Sequence, residues 1–314
     1  MSGAIYRLLT AAARVLGPWI VAFFAWWVAA GYFLFRPARR RESLRFYRAL
    51  FPGQGRLRAW GLTWRQFQRF AGLFADRLRL ARGDPAESSE EGFQHLLESA
   101  GPGRGAVLLM SHLGSWEVAA LLLRKKALRL MLFMGARERE QVERQQKAAL
   151  AAEGLELVVA EEGATDGTGA ALGTLEGLRF MRAGGLVSMA GDRLWGLGQR
   201  VVEVRFLGRR VRLPAGPHLF ALAAGVPVVT FFGLRLGRGR YHLVAFPPRR
   251  IVANGRADRW AAVERSAQEY ADRLAEVARR YPSHWFHFEP FLGEPWPEPS
   301  AEPPLREGAP EEGG

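Results

Sequence analysis

The chain has 314 residues, 48% of them apolar, a formal charge of +13 and no cysteine. Disulfides, thiolate catalysis and cysteine-ligated metals are therefore excluded, and there is enough apolar material for one large domain or two smaller ones. The segment Glu289–Gly314 contributes −6, leaving +19 on the rest, a field that attracts nucleic acid, an anionic membrane or an acidic protein. The six histidines show no H-E-x-x-H or comparable spacing. His284 and His287 stand three apart among aromatics, without the third ligand a metal needs, so no metal site is expected.

Val15–Phe35 is an uncharged run of aromatic and aliphatic residues, long enough as a helix for a membrane core of about 30 Å. Trp19, Trp26, Trp27 and Tyr32 suit the interfaces. Arg7 and Arg14 precede the run, whereas Arg36, Arg39, Arg40, Arg41, Arg45 and Arg48 follow it. The positive-inside rule then keeps the rest of the chain on the cytoplasmic side of the inner (plasma) membrane. A helix lying in the interface, or packed in the core, is the alternative. Glu42–Leu50 and Thr63–Arg79 read as basic amphipathic helices with interleaved aromatics, suited to a membrane surface. No RNA-binding signature accompanies them, and no nucleic-acid partner is expected.

After a short helix within Glu90–Ala100 the pattern alternates. Strands are expected at Ala106–Met110, Leu128–Met134, Leu155–Ala160, Leu186–Ala190, Pro227–Phe232 and Tyr241–Phe246. Helices are expected at Ser115–Lys125, Arg137–Glu153, Thr168–Arg182 and Ala215–Ala224, with Ala257–Tyr281 closing the domain. This is the signature of an α/β fold with a mostly parallel sheet covered by helices. Three regions follow: a membrane-anchoring and basic helical part over 1–100, a catalytic domain over 101–288, and a disordered Pro- and Glu-rich tail over 289–314.

The stretch Met110–Val118 (M-S-H-L-G-S-W-E-V) puts a histidine where a buried strand ends and a helix begins, the usual place for ligands and catalytic groups in open α/β sheets. In one continuous helix His112 and Glu117 would point roughly 140° apart. They meet only if His112 precedes the helix, a turn that Gly114 permits and for which Ser115 is a reasonable N-cap. Glu117 would then fix the tautomer of His112 and leave its other nitrogen basic. No serine lies in G-x-S-x-G and there is no cysteine, so direct attack by a substrate hydroxyl fits better than a covalent enzyme nucleophile. Taken alone, the pair reads equally well as a satisfied histidine at a strand end.

S-H-L-G-S-W-E resembles the His-x4-acidic motif of the glycerolipid (lysophospholipid) acyltransferase superfamily. More closely it resembles the bacterial lipid A biosynthesis lauroyl/myristoyl acyltransferases, whose motif typically reads H-x-G-x-W-E. The likeness continues through the anchor and arginines of Val15–Arg48, Phe133–Arg137, Met189–Arg193 with Gly196, Phe206 and Gly208, Leu213–Pro217 with Gly225–Val229, and Tyr281–His287. It implies acyl transfer from an acyl thioester, on acyl carrier protein or coenzyme A, to a hydroxyl of a membrane glycolipid or lysophospholipid resembling a lipid A precursor, with no resident cofactor. On that reading His112 is the general base and Glu117 supports its imidazolium. Backbone N–H groups at the start of the Ser115 helix are available for the oxyanion, and Gly114 and Ser115 are counted among the substrate-binding residues. Arg137, with Arg139 as rival, Asp192 and Arg193 are candidates for binding the acceptor; Asp192 could equally cap its own turn. A membrane-tethered lipid-binding protein without chemistry, or a lipid hydrolase using His-activated water, are the competing functions.

Overall fold

The computed structural model describes residues 18–81, 83–135, 151, 154–160, 168–194 and 199–297. Three helices come first: α1 (Pro18–Phe35), α2 (Pro37–Leu50) and α3 (Arg56–Ala81). Among the described residues no helix is long and apolar enough to cross a membrane. Instead, α1 packs along α3. Ala29, Phe33, Phe67 and Ala71 form a small cluster of their own, with the Phe33 ring edge-on to Trp60, Trp64 and Phe67. The opposite side of α1 leaves Phe23, Trp27, Tyr32, Leu34 and Phe35 exposed. Pro37 starts α2 where a proline is tolerated, at the first helical position.

The main sheet then assembles from β1 (Glu87–Glu91), β2 (Ala106–Met110), β3 (Leu130–Gly135), β4 (Glu156–Ala160), β5 (Leu186–Ala190), β8 (Pro227–Gly237), β9 (Arg240–Ala245) and β10 (Arg249–Arg250). Its spatial order is β1-β9-β8-β2-β5-β3-β4, with β10 paired to β8. All pairings are parallel except β8 with β9 and with β10. β6 (Val201–Phe206) and β7 (Arg209–Pro214) form a separate antiparallel hairpin. The intervening helices are α4 (Gln94–Ser99), α5 (Trp116–Lys125), α6 (Thr168–Arg182), α7 (Gly216–Ala224) and α8 (Arg259–Arg280).

Strand β2 is apolar at every position because both faces of the sheet are covered. Val107 and Leu109 enter a core built with α2, α7 and α8. Ala106, Leu108 and Met110 enter a second core built with α5 and β9. The 2.0-residue alternation of a strand thus divides five consecutive buried residues between two layers. A Leu such as Leu109, wholly buried, contributes about 1.5–3 kcal/mol by its removal from water.

The expected α/β class, the parallel sheet, and strands Ala106–Met110 and Leu186–Ala190 agree with the structure. Helix Arg137–Glu153 lies almost wholly outside the described residues. The expected disordered tail begins too early. Gly293 N–H donates to Arg210 O at 2.8 Å, Arg210 N–H to Glu294 O at 2.8 Å, and Trp296 N–H to Gly208 O at 2.9 Å. Leu292 is buried as well. Residues 289–297 are held along the hairpin by backbone pairing and an apolar anchor, which outweigh their Pro- and Glu-rich composition.

Candidate active site

His112 stands two residues beyond the end of β2. In the parallel pairing of β2 with β5, Met110 lies opposite Ala190, so His112 and Asp192, each two residues further on, leave neighbouring strands side by side. Gly191 N–H donates to Met110 O at 2.9 Å and keeps the two exits together. Gly191 has to be small: a Cβ there would come within 2.6 Å of the Tyr270 ring of α8. The Tyr270 hydroxyl in turn donates to Met110 O at 3.2 Å.

Asp192 uses both carboxylate oxygens on His112. Oδ2 accepts the backbone N–H of His112 at 2.7 Å, and Oδ1 lies 3.0 Å from its Nδ1. An ionised carboxylate only accepts, so Nδ1 carries the proton and the lone pair of the neutral ring is on Nε2. Burial pushes the Asp192 carboxyl up, but the charge and hydrogen bonds of His112 outweigh it and hold the group below its ordinary value. The guanidinium of Arg193 agrees with this tautomer: Nη1 lies 3.4 Å from His112 Nε2, while Nη2 donates to Glu289 Oε1 at 3.4 Å. Glu289 also faces Arg39 of α2 at 3.7 Å.

The other wall is the closing segment. Phe286 N–H donates to His112 O and Gly114 N–H donates to His284 O, each at 2.8 Å, with Leu113 and Trp285 forming the antiparallel bridge between them. Ser115 N–H donates to Gly233 O of β8 at 2.7 Å. Gly114 adopts φ +97° and its missing Cβ would lie 2.2 Å from Gly233 O, so the close backbone approach and the positive φ both require glycine. Trp285 is buried and stacked between Phe46 and His287; Gln66 of α3 donates through Nε2 to Trp285 O. The His287 ring stands edge-on to His112, 6.0 Å between centroids. Burial is the main cause that pushes its imidazole down to about 4. It is neutral at physiological pH.

Beneath the segment, His284 Nε2 donates to Arg235 O at 2.7 Å. The Arg235 guanidinium grips the buried Asp76 of α3 through Nε at 2.6 Å and Nη2 at 3.2 Å. The Tyr241 hydroxyl donates to the same carboxylate at 2.7 Å. This pinned network ties α3 to β8 and β9 and gives the closing segment a fixed seat.

Several site expectations change against this geometry. The carboxylate on His112 Nδ1 is Asp192, not Glu117. Glu117 is buried in the first turn of α5, where the helix N-terminus favours negative charge. Asp192 was expected to meet the acceptor, yet it is 1% exposed and engaged through both oxygens by His112. Ser115 holds the N-cap position without a side-chain cap bond. The Gly114 and Ser115 N–H groups are spent on His284 O and Gly233 O, which leaves neither for an oxyanion. Arg193 lies beside the imidazole, its Nη1 3.4 Å from Nε2. Arg137, Arg139 and Gly196 lie outside the described residues. His287 is a site residue that sequence reasoning passed over, although it ended the quoted closing segment. Among the described residues no cluster of three or more His, Asp or Glu side chains could hold a metal ion.

A family model described as bacterial lipid A biosynthesis acyltransferase matches residues 61–292, well over half of the chain, including every described residue of the His112 site except Arg39 and Phe46. Comparison with curated proteins gives no match.

Proposed function

The chain belongs to the bacterial lipid A biosynthesis acyltransferase family, a family of acyltransferases, and from that premise we propose that it moves a fatty acyl chain from a thioester of acyl carrier protein or coenzyme A to a hydroxyl of a membrane glycolipid or lysophospholipid. The observation that carries this reading is the His112–Asp192 pair: a buried carboxylate fixes Nδ1–H and turns the basic Nε2 toward the site.

His112 removes the proton of the acceptor hydroxyl as its oxygen attacks the thioester carbonyl, a contribution of about 10²–10⁴ in rate. The C–S bond then breaks, and the departing thiolate takes the proton from the imidazolium. Asp192 orients the ring and stabilises its charged form. Glu117, the acid of the H-x4-E motif, adds its negative charge from the first turn of α5. Arg193, beside Nε2, pairs with an anionic or polar group of the acceptor. The exposed aromatic face of α1 and the arginines of α2 rest on the cytoplasmic face of the inner membrane, the aromatics in the interface and the cations at anionic headgroups.

The test incubates purified protein with a radiolabelled acyl thioester and membrane lipid, and reads the lipid by mass spectrometry. One lipid species should gain a single acyl group, and His112→Ala should abolish the gain with the fold intact. Free fatty acid without acylated lipid would refute transfer in favour of hydrolysis, and absence of any product would refute enzymatic function. Lipid from a strain lacking the gene should contain a species lighter by one acyl group. Alkaline carbonate extraction tests attachment: release of the protein from membranes would rule out an embedded anchor.

A further inference from the structure

The proposed transfer leaves one chemical need unmet. As the acceptor oxygen bonds to the thioester carbonyl carbon, the π pair moves onto the carbonyl oxygen, and that oxyanion needs donors held in place beforehand. The backbone N–H groups that follow His112 toward the helix, those of Leu113, Gly114 and Ser115, are already bonded within the protein.

His287 has the features of a donor without a protein partner. It is seated by three independent restraints. Phe286 N–H is bonded to His112 O, its ring stacks on Trp285 at 5.6 Å and 20°, and Phe291 packs against it with centroids 4.8 Å apart. Its Nδ1 is wholly buried and has no hydrogen-bond partner among the described residues. A protonated nitrogen there would be an unsatisfied buried donor, which costs about 1–3 kcal/mol. An unpaired lone pair at that place is costly too, so the choice of tautomer falls to Nε2, where a carbonyl oxygen brought by the thioester selects the N–H form. The residue is half-buried, and Nδ1 is not part of what it exposes. Asp192, His112, Arg193 and Glu289 are the charged or titratable groups close enough to act on it.

Resting on the acyl-transfer reading above, we propose that His287 is a further catalytic residue, whose neutral Nε2–H donates a hydrogen bond to the carbonyl oxygen of the acyl thioester and to the oxyanion that forms from it. The edge-on arrangement 6.0 Å from His112 brings base and donor to one reacting centre. His112 takes the hydroxyl proton, and His287 keeps its own throughout. A neutral imidazole performs this task well, since it polarises a carbonyl without giving up its proton or attracting a carboxylate into the site.

The experiment compares His287→Phe and His287→Gln with the wild-type chain in the same transfer assay. Phe preserves the stack on Trp285 and removes the donor, whereas Gln restores an N–H. For the Phe variant, kcat should fall by about 10²–10³, the loss typical of one oxyanion donor, with KM for the thioester little changed. The Gln variant should recover part of that loss. Neither variant should change the shape of the pH–rate profile. Wild-type kcat in the Phe variant would overturn the proposal. So would equal losses in both variants accompanied by a lower melting temperature, which would mark His287 as a packing residue. If the wild-type chain itself transfers no acyl group while binding the thioester, it is the functional reading that fails, and the two failures are separate.

Discussion

Asp192→Asn changes one atom of the site and discriminates between its two acids. In the wild-type chain a single carboxylate accepts two hydrogen bonds from the same residue, the His112 backbone N–H at 2.7 Å and Nδ1–H at 3.0 Å. An amide offers one oxygen and one NH2 in that plane, so it satisfies one of these donors and opposes the other. The backbone N–H cannot change, and burying it unpaired costs about 1–3 kcal/mol. The ring can change. Asparagine therefore keeps its oxygen on the backbone N–H, turns its NH2 toward Nδ1 and drives the imidazole proton to Nε2, where the base is lost. The wrong tautomer is worth about 10⁴ in kcat, roughly 5.5 kcal/mol on the barrier. Initial rates of acyl transfer measured with thioester and lipid near saturation, alongside circular dichroism to verify the fold, give the number. Asp192→Asn with near wild-type kcat, beside a crippled Glu117→Gln, would return the orienting role to Glu117 and refute the argument from the β2–β5 register.

Other substitutions test different links. Arg193→Ala removes the guanidinium at 3.4 Å from His112 Nε2; the reading predicts a raised KM for the lipid acceptor with a smaller effect on the thioester, and an unchanged acceptor KM would contradict it. Gly114→Ala forces a Cβ to 2.2 Å from Gly233 O at φ +97°, and should destabilise the chain by several kcal/mol in denaturant titration, at the upper end of single-residue effects. Acid should weaken the fold through His218 and His284, both lowered to about 4 mainly by burial. The unfolded chain binds these protons near pH 6.5 and the folded chain does not, so each group removes about 1.4 kcal/mol of stability per pH unit as the pH falls from about 6.5 to about 4. Denaturant midpoints at pH 7 and pH 5 measure the slope, and His218→Phe should flatten it. Replacing the exposed Trp27 and Phe35 of α1 with serine should reduce co-sedimentation with anionic vesicles without lowering the melting temperature.

The parts of the fold legible in the sequence are those whose signal is local. A buried strand such as Leu186–Ala190 has to be apolar throughout when helices cover both faces, and an amphipathic helix such as α8 has to repeat its apolar residues every three or four positions. Strand β1 (E-S-S-E-E) has neither signal: it is almost wholly exposed and exists because β9 pairs with it in parallel. The hairpin was readable, since V-V-E-V-R-F alternates buried and exposed residues and turns at Leu207 and Gly208, both at positive φ.

The same distinction governs the site. His112 was visible because a histidine after an apolar run, followed by a permissive glycine, is a feature of contiguous residues. Its true partner on Nδ1 was not visible, since Asp192 reaches it only through the pairing of Met110 with Ala190 across two parallel strands. The register of that pairing follows from packing on both faces of the sheet, not from any spacing in the chain. Glu117, five residues away, was the acid that sequence distance favoured. Asp192, eighty residues away, was the one the sheet delivered. His287 is the more distant version of the same effect, because it comes to His112 through the bridge between Leu113 and Trp285. In an open parallel sheet each strand exit gathers residues whose sequence separation is set by whole crossover units, so the first half of a dyad is found by motif and the second by topology.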